Sequence, residues 1–89
     1  MTITNSSSST VWWYVYNGTD RYKEIAIQSG TLDAGTSTTV DLGENAPFAV
    51  RFTTTDANEL AEGMVAADGT IELVGDSGGP GTYEAQVSA

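Results

Sequence analysis

Val11-Trp12-Trp13-Tyr14-Val15-Tyr16 places both tryptophans and two of the four tyrosines in six consecutive residues. On the two-residue period of a strand the stretch has two faces. Val11, Trp13 and Val15 point one way, and Trp12, Tyr14 and Tyr16 point the other. The next apolar run, Tyr22 to Ile27, has Ile25 and Ile27 as its aliphatic members. Directly opposed residues of an antiparallel pair share a face. Seating Val11, Trp13 and Val15 beside Ile25 and Ile27 therefore predicts that opposed positions sum to an even number. The connection is then an odd-numbered loop around Asn17-Gly18-Thr19-Asp20-Arg21, with Gly18 at positive φ. A two-residue type I′ turn at Asn17-Gly18 is the stronger local signal. It would set Lys23 beside Trp12 and Ile25 over the aromatic face, so the odd loop is the expectation.

A chain of 89 residues holds one small domain. It contains no cysteine, so no disulfide or thiolate metal site supports the fold. It contains no histidine, which removes the commonest general base at neutral pH and the commonest transition-metal ligand. Twelve acidic residues against three basic ones give a formal charge of −9. Arg21, Lys23 and Arg51 are too few to neutralise a phosphate backbone, so no nucleic-acid partner is expected. An anionic membrane would repel the chain, whereas a neutral lipid head group would not. No apolar run approaches the roughly 20 residues of a membrane span. Met1-Thr2-Ile3-Thr4 lacks the basic start and apolar core of a signal peptide. The compartment is left open, with export the preferred reading.

Residues 1–9 form a polar N-terminal segment, mobile unless Thr2–Asn5 pairs as an edge strand. Residues 10–89 are expected to form a single domain. Strands are expected at Thr10–Tyr16, Tyr22–Gln28 and Ser37–Leu42, with Ser29–Gly35 as a connection and Leu32 turned inward. Gly43-Glu44-Asn45-Ala46-Pro47 is a turn cluster. Phe48 to Thr53 is a half-buried strand with Phe48, Val50 and Phe52 on one face. Thr55 to Glu62 reads as the start of a short helix capped by Thr55 or Asp56, interrupted at Gly63. Ala67-Asp68-Gly69 signals a hairpin between Met64-Val65-Ala66 and a strand over Thr70–Val74. Thr82 to Ser88 alternates once more. About seven short strands, spaced roughly 10–12 residues apart, point to an all-β fold, a small antiparallel sandwich or barrel. Residues 29–40 loosely resemble a strand–turn–strand phrase of thaumatin-like and other secreted β-sandwiches, a likeness that carries no functional residue.

Gly75-Asp76-Ser77-Gly78-Gly79-Pro80 resembles the hexapeptide around the nucleophilic serine of chymotrypsin-like proteases. That serine needs a histidine to take its proton and a carboxylate behind the histidine. With no histidine in the chain the match implies no hydrolysis, and a glycine-rich turn explains it. Nothing combines a nucleophile, a base and an oxyanion site, so no catalytic residue and no enzyme activity are expected. No cofactor is expected either. Of the carboxylates, Asp56, Glu59 and Glu62 are the cluster in which calcium would find oxygen ligands. Asn5-Ser6-Ser7 and Asn17-Gly18-Thr19 fit the N-glycosylation pattern, as a chain rich in Ser and Thr does by chance.

The even-numbered aromatic face carries the functional expectation. Exposed Trp and Tyr pair a flat apolar body with a hydrogen-bonding tip. Trp12, Tyr14, Tyr16 and Tyr22 form the platform, with Asn17, Asp20 and Glu24 as acceptors for a sugar's hydroxyls. The expected function is a non-enzymatic, lectin-like binding module for carbohydrate. Its rivals are a structural protein that forms a homo-oligomer or meets a protein partner through that face, and a neutral-lipid-binding or toxin component. The latter is similar in acidity and aromatic content to the small β-sandwich aegerolysins. The structural alternative is that both faces of the strand are buried, one in the core and one under a loop or subunit.

Overall fold

A computed structural model describes residues 1–18, 25–43, 47–75 and 83–88. It has eight strands: β1 (Thr2–Asn5), β2 (Val11–Asn17), β3 (Gln28–Leu32), β4 (Thr36–Thr39), β5 (Phe48–Thr53), β6 (Glu59–Val65), β7 (Thr70–Val74) and β8 (Glu84–Ser88). They form two four-stranded sheets, β4-β1-β7-β8 and β3-β2-β5-β6. The described residues contain no helix, and the fold is the small all-β sandwich that the alternation implies.

The core lies where the alternating positions of the two sheets meet. Val11, Trp13 and Val15 from β2 and Phe48, Val50 and Phe52 from β5 face Ile3, Ile71 and Leu73 from the other sheet. Burying each of these side chains contributes about 1.5–3 kcal/mol. Trp13 sits opposite Gly30, where a Cβ would come within 2.9 Å of the indole. That close approach decides the register of β2. Its partner is Gln28–Leu32, with Val11 opposite Leu32 and Val15 opposite Gln28, so opposed positions sum to an odd number. The expected register, which would seat Ile25 and Ile27 beside Val11, Trp13 and Val15, does not form, although the Ile27 N–H donates to the Val15 carbonyl at 2.7 Å. Ile25 is 79 % exposed and Ile27 48 % exposed, outside any strand. An isoleucine in place of Gly30 would leave no room for the indole. The rest of the expected Tyr22–Gln28 strand, residues 22–24, and the loop residues 19–21 lie outside the described residues.

β1 lies inside its sheet, antiparallel to β4 and parallel to β7, with Ile3 beside Ile71. It is therefore not an edge strand. The chain then crosses to the other sheet through Ser6–Thr10, and Asn5 shapes that crossing. Its side chain is fully buried. Nδ2 donates to the carbonyl oxygens of Ser9 (2.8 Å) and Leu32 (2.9 Å). Oδ1 accepts from the Ser7 N–H (3.0 Å) and the Ser7 hydroxyl. Both donors and the acceptor of the amide are thus used, which is what makes a buried amide tolerable.

Three other expectations change. The helix at residues 55–62 is replaced by a turn, in which the Thr54 hydroxyl accepts the N–H groups of Asp56 and Asn58. Ala57 adopts φ 66°, a left-handed conformation that stops a helix. β6 then runs straight through Gly63. A Cβ there would stand 3.1 Å from Val87 and 3.2 Å from Ile71, so the glycine lets the two sheets close together. Asp68-Gly69 does turn the chain, with the Gly69 N–H donating to the Ala66 carbonyl at 2.9 Å. The strands on either side belong to different sheets, however, so the turn is a corner and not a hairpin.

Asn5→Ala should cost about 3 kcal/mol, because it strips partners from several buried polar groups. Ser8→Ala, at an exposed position of the same crossing, should stay within about 0.5 kcal/mol. Urea unfolding midpoints compare the two, and equal midpoints would remove Asn5 from its structural role. Gly30→Ala should destabilise by about 1–3 kcal/mol through overpacking against Trp13, and Trp13→Phe in the same background should recover part of the loss.

Candidate functional site: the outer face of the aromatic strand

β2 is an interior strand, with β3 on one side and β5 on the other. Its even-numbered side chains stand on the sheet face turned away from the core. Trp12 and Tyr14 have ring centroids 6.3 Å apart with planes inclined by 22°. Tyr14 and Tyr16 are 6.4 Å apart and inclined by 28°. The three rings thus form one nearly aligned row along the strand. Trp12 and Tyr14 are half-buried, whereas Tyr16 is only 6 % exposed. The open part of the row is therefore Trp12 and Tyr14, with Tyr16 as its buried end.

Register sets the neighbours of each ring. Trp12 lies between Thr31 of β3 and Thr53 of β5, and Tyr14 between Ser29 and Arg51. Ser29 and Thr31 are exposed and present hydroxyls along one flank. Arg51 occupies the other flank. Its guanidinium carbon lies 5.7 Å from the centroid of the Tyr16 ring, in the range of a cation–π contact. Its Nε is 3.2 Å from Glu59 Oε1 and 3.8 Å from Glu62 Oε2. The buried Nε–H makes no hydrogen bond to either oxygen, so these are ion pairs without hydrogen-bond geometry.

Glu59 and Glu62 are three residues apart, a spacing that puts side chains on opposite faces of a regular strand. The ladder between β5 and β6 is irregular at this point. Ala61 opposes Phe52 and Glu59 opposes Thr53, leaving Leu60 as an extra residue. This bulge returns Glu59 to the outer face beside Arg51, the re-aiming that bulges characteristically perform. A depression of about 230 Å³, lined by Ala49, Glu62, Gly63 and Met64, adjoins this flank. A larger groove of about 470 Å³ near Met1, Asp41 and Asp68 lacks aromatic side chains.

Of the residues expected at the site, Trp12, Tyr14 and Tyr16 are brought into one row. Asn17 is exposed at the end of β2, and alternation sets it on the opposite face from Tyr16. Asp20, Tyr22 and Glu24 lie outside the described residues. The carboxylates of the expected calcium cluster are used differently: Glu59 and Glu62 flank a guanidinium, and no group of three metal-ligating side chains gathers among the described residues. Sequence reasoning missed Arg51, Glu59 and Glu62 as neighbours of the aromatic row. Arg51 stands out in the Phe48–Thr53 alternation as the one charge on its outer face. The two glutamates needed the bulge and the register.

Comparison with known proteins finds no family model, curated protein or solved structure that matches this chain.

The two tryptophans report on opposite faces of β2, since Trp12 is half-buried and Trp13 nearly fully so. Fluorescence of the Trp13→Phe variant should be readily quenched by acrylamide, and that of Trp12→Phe severalfold less. Equal quenching in the two variants would contradict this division of faces.

Proposed function

We propose that this chain is a non-enzymatic, lectin-like binding module that takes a carbohydrate on the outer face of β2. The observation that carries the reading is the row of Trp12 and Tyr14, partly open to solvent and held between hydroxyl side chains and a carboxylate–guanidinium cluster. Sugar rings have apolar C–H faces that stack on aromatic rings and hydroxyl edges that need donors and acceptors. The face offers both at fixed spacing on rigid strands. Tyr16, pinned under Arg51, supports the row from its buried end. Strand-borne side chains suit such a platform because their positions are set by the ladder and not by a mobile loop.

The rival reading, a homo-oligomer formed through the same face, draws support from Met64, which is 51 % exposed at its margin. Sedimentation across a dilution series separates the two. A monomer at all concentrations removes the oligomer, and monomers released only on dilution or by Trp12→Glu would replace the binding module.

Trp12→Ala should lower affinity for a neutral oligosaccharide by at least about tenfold, the size of a binding hot spot. The urea midpoint should stay close to that of the parent, because Trp12 lies outside the core. Calorimetric titration of both proteins measures the change, and undiminished binding by the variant would overturn the reading.

A further inference from the structure

We infer that the aromatic face receives the free end of a glycan chain and not its interior, seating two terminal sugar units on Trp12 and Tyr14 with the chain stopped at Tyr16. The inference rests on the binding reading above and adds to it the part of a glycan that the face takes.

Both rings can be used at once only along the strand. Trp12 and Tyr14 follow each other on β2 with centroids 6.3 Å apart and planes inclined by 22°. That spacing is close to the two-residue repeat of a strand, about 6.8 Å. A ligand crossing β2 would meet one ring alone, and at Tyr14 it would run against Arg51, the residue opposite on β5. A chain of sugars that uses both rings therefore lies along β2 with one unit on each. How far it extends is decided by the two ends of the row.

The Tyr16 end is closed. Tyr16 is almost fully buried, with the Arg51 guanidinium over its ring, and Nε of Arg51 is itself buried, so this cover is packed in place. One repeat further on is Gly18, and the space its side chain would fill is already taken. A Cβ there would collide with the Pro47 carbonyl oxygen and stand 2.9 Å from the terminal methyl of Met64. The Gly18 N–H donates to that same carbonyl at 3.1 Å, which fixes the approach. The opposite end is open. Thr10, one repeat before Trp12, is exposed, and so is Thr31 beside Trp12. A glycan seated on the two rings continues outward past Thr10 and ends at Tyr16. An internal stretch, which must leave the site at both ends, has no path.

The test is calorimetric titration with cello-, malto- and manno-oligosaccharides from one to six units long. In the series that binds, affinity should rise at least about tenfold from monosaccharide to disaccharide and change by less than about threefold beyond it. Each chain should take one protein molecule whatever its length. On a soluble linear polysaccharide of the same linkage, the number of sites should follow the number of chain ends, and partial hydrolysis at constant mass should raise it. Thr10→Tyr sets a third ring at the open end and should tighten binding of the trisaccharide about threefold to tenfold, with the disaccharide unchanged. Its urea midpoint checks that it folds. Stoichiometry that grows with chain length, or sites that follow polymer mass, would overturn end recognition and leave the binding-module reading standing. A folded Thr10→Tyr variant with no gain for the trisaccharide would overturn the placement of the open end. If no oligosaccharide of any length binds, the binding-module reading falls and this inference falls with it.

Discussion

The buried amide of Asn5 holds the two sheets in their relation. β1 ends at this residue in the middle of one sheet, and within a few residues the chain must begin β2 in the middle of the other. A crossing this short carries its backbone polar groups past the core, where an unpaired donor or acceptor costs about 1–3 kcal/mol. Asn5 answers with one side chain, joining the crossing at Ser7 and Ser9 to the end of β3 at Leu32. Its own carbonyl accepts the Gly35 N–H at 2.7 Å, which fixes the turn leading to β4. Four segments of both sheets are thereby referred to one residue. No apolar side chain could replace it, and an aspartate would lack the two donors.

With the crossing set, β2 becomes the strand that both faces of its sheet depend on. Its odd-numbered side chains enter the core, and its even-numbered ones build the outer row. The inner face demands a particular register because Trp13 must find the glycine of β3. That same register sets Thr31 beside Trp12 and Ser29 beside Tyr14 on the outer face. Packing on one side of the strand thus determines the chemistry displayed on the other. This is the consequence of a two-residue period: a slip by one would exchange the two faces.

The strands with strong alternation were legible in the sequence. Val11–Tyr16, Phe48–Thr53 and Thr70–Val74 lie close to where their patterns place them. Gln28–Leu32 was not legible, because it has only Leu32 as an apolar anchor, and its identity as a strand comes from Trp13 across the ladder. The Thr55–Glu62 segment misled because an acidic run after threonine fits a helix start. The left-handed Ala57 and the pull of Ala61, Gly63 and Val65 toward the core override that local preference. Asp68-Gly69 shows the limit of turn signals: they report that the chain reverses, not which sheet receives the next strand. The aromatic row was visible as a pattern, but the burial of Tyr16 was not, nor was Arg51 over its ring, a neighbour brought alongside only by the β2–β5 pairing.

The bulge in β6 links this tertiary placement to the character of the face. A regular strand would send Glu59 and Glu62 to opposite sides, leaving Arg51 with a single counter-ion. Inserting Leu60 disturbs the ladder locally, yet Leu60 still packs against the core. The disturbance is therefore partly offset by apolar burial, while the outer face acquires a second carboxylate. An exposed ion pair of this kind adds at most about 1 kcal/mol to stability, so stability alone is a weak reason for the device. Its larger effect is on placement: it brings a second carboxylate against the guanidinium that borders the aromatic row. The register of β5 and the bulge of β6 thus decide which charged groups border the aromatic row, while the alternation of β2 decides only which rings stand in it.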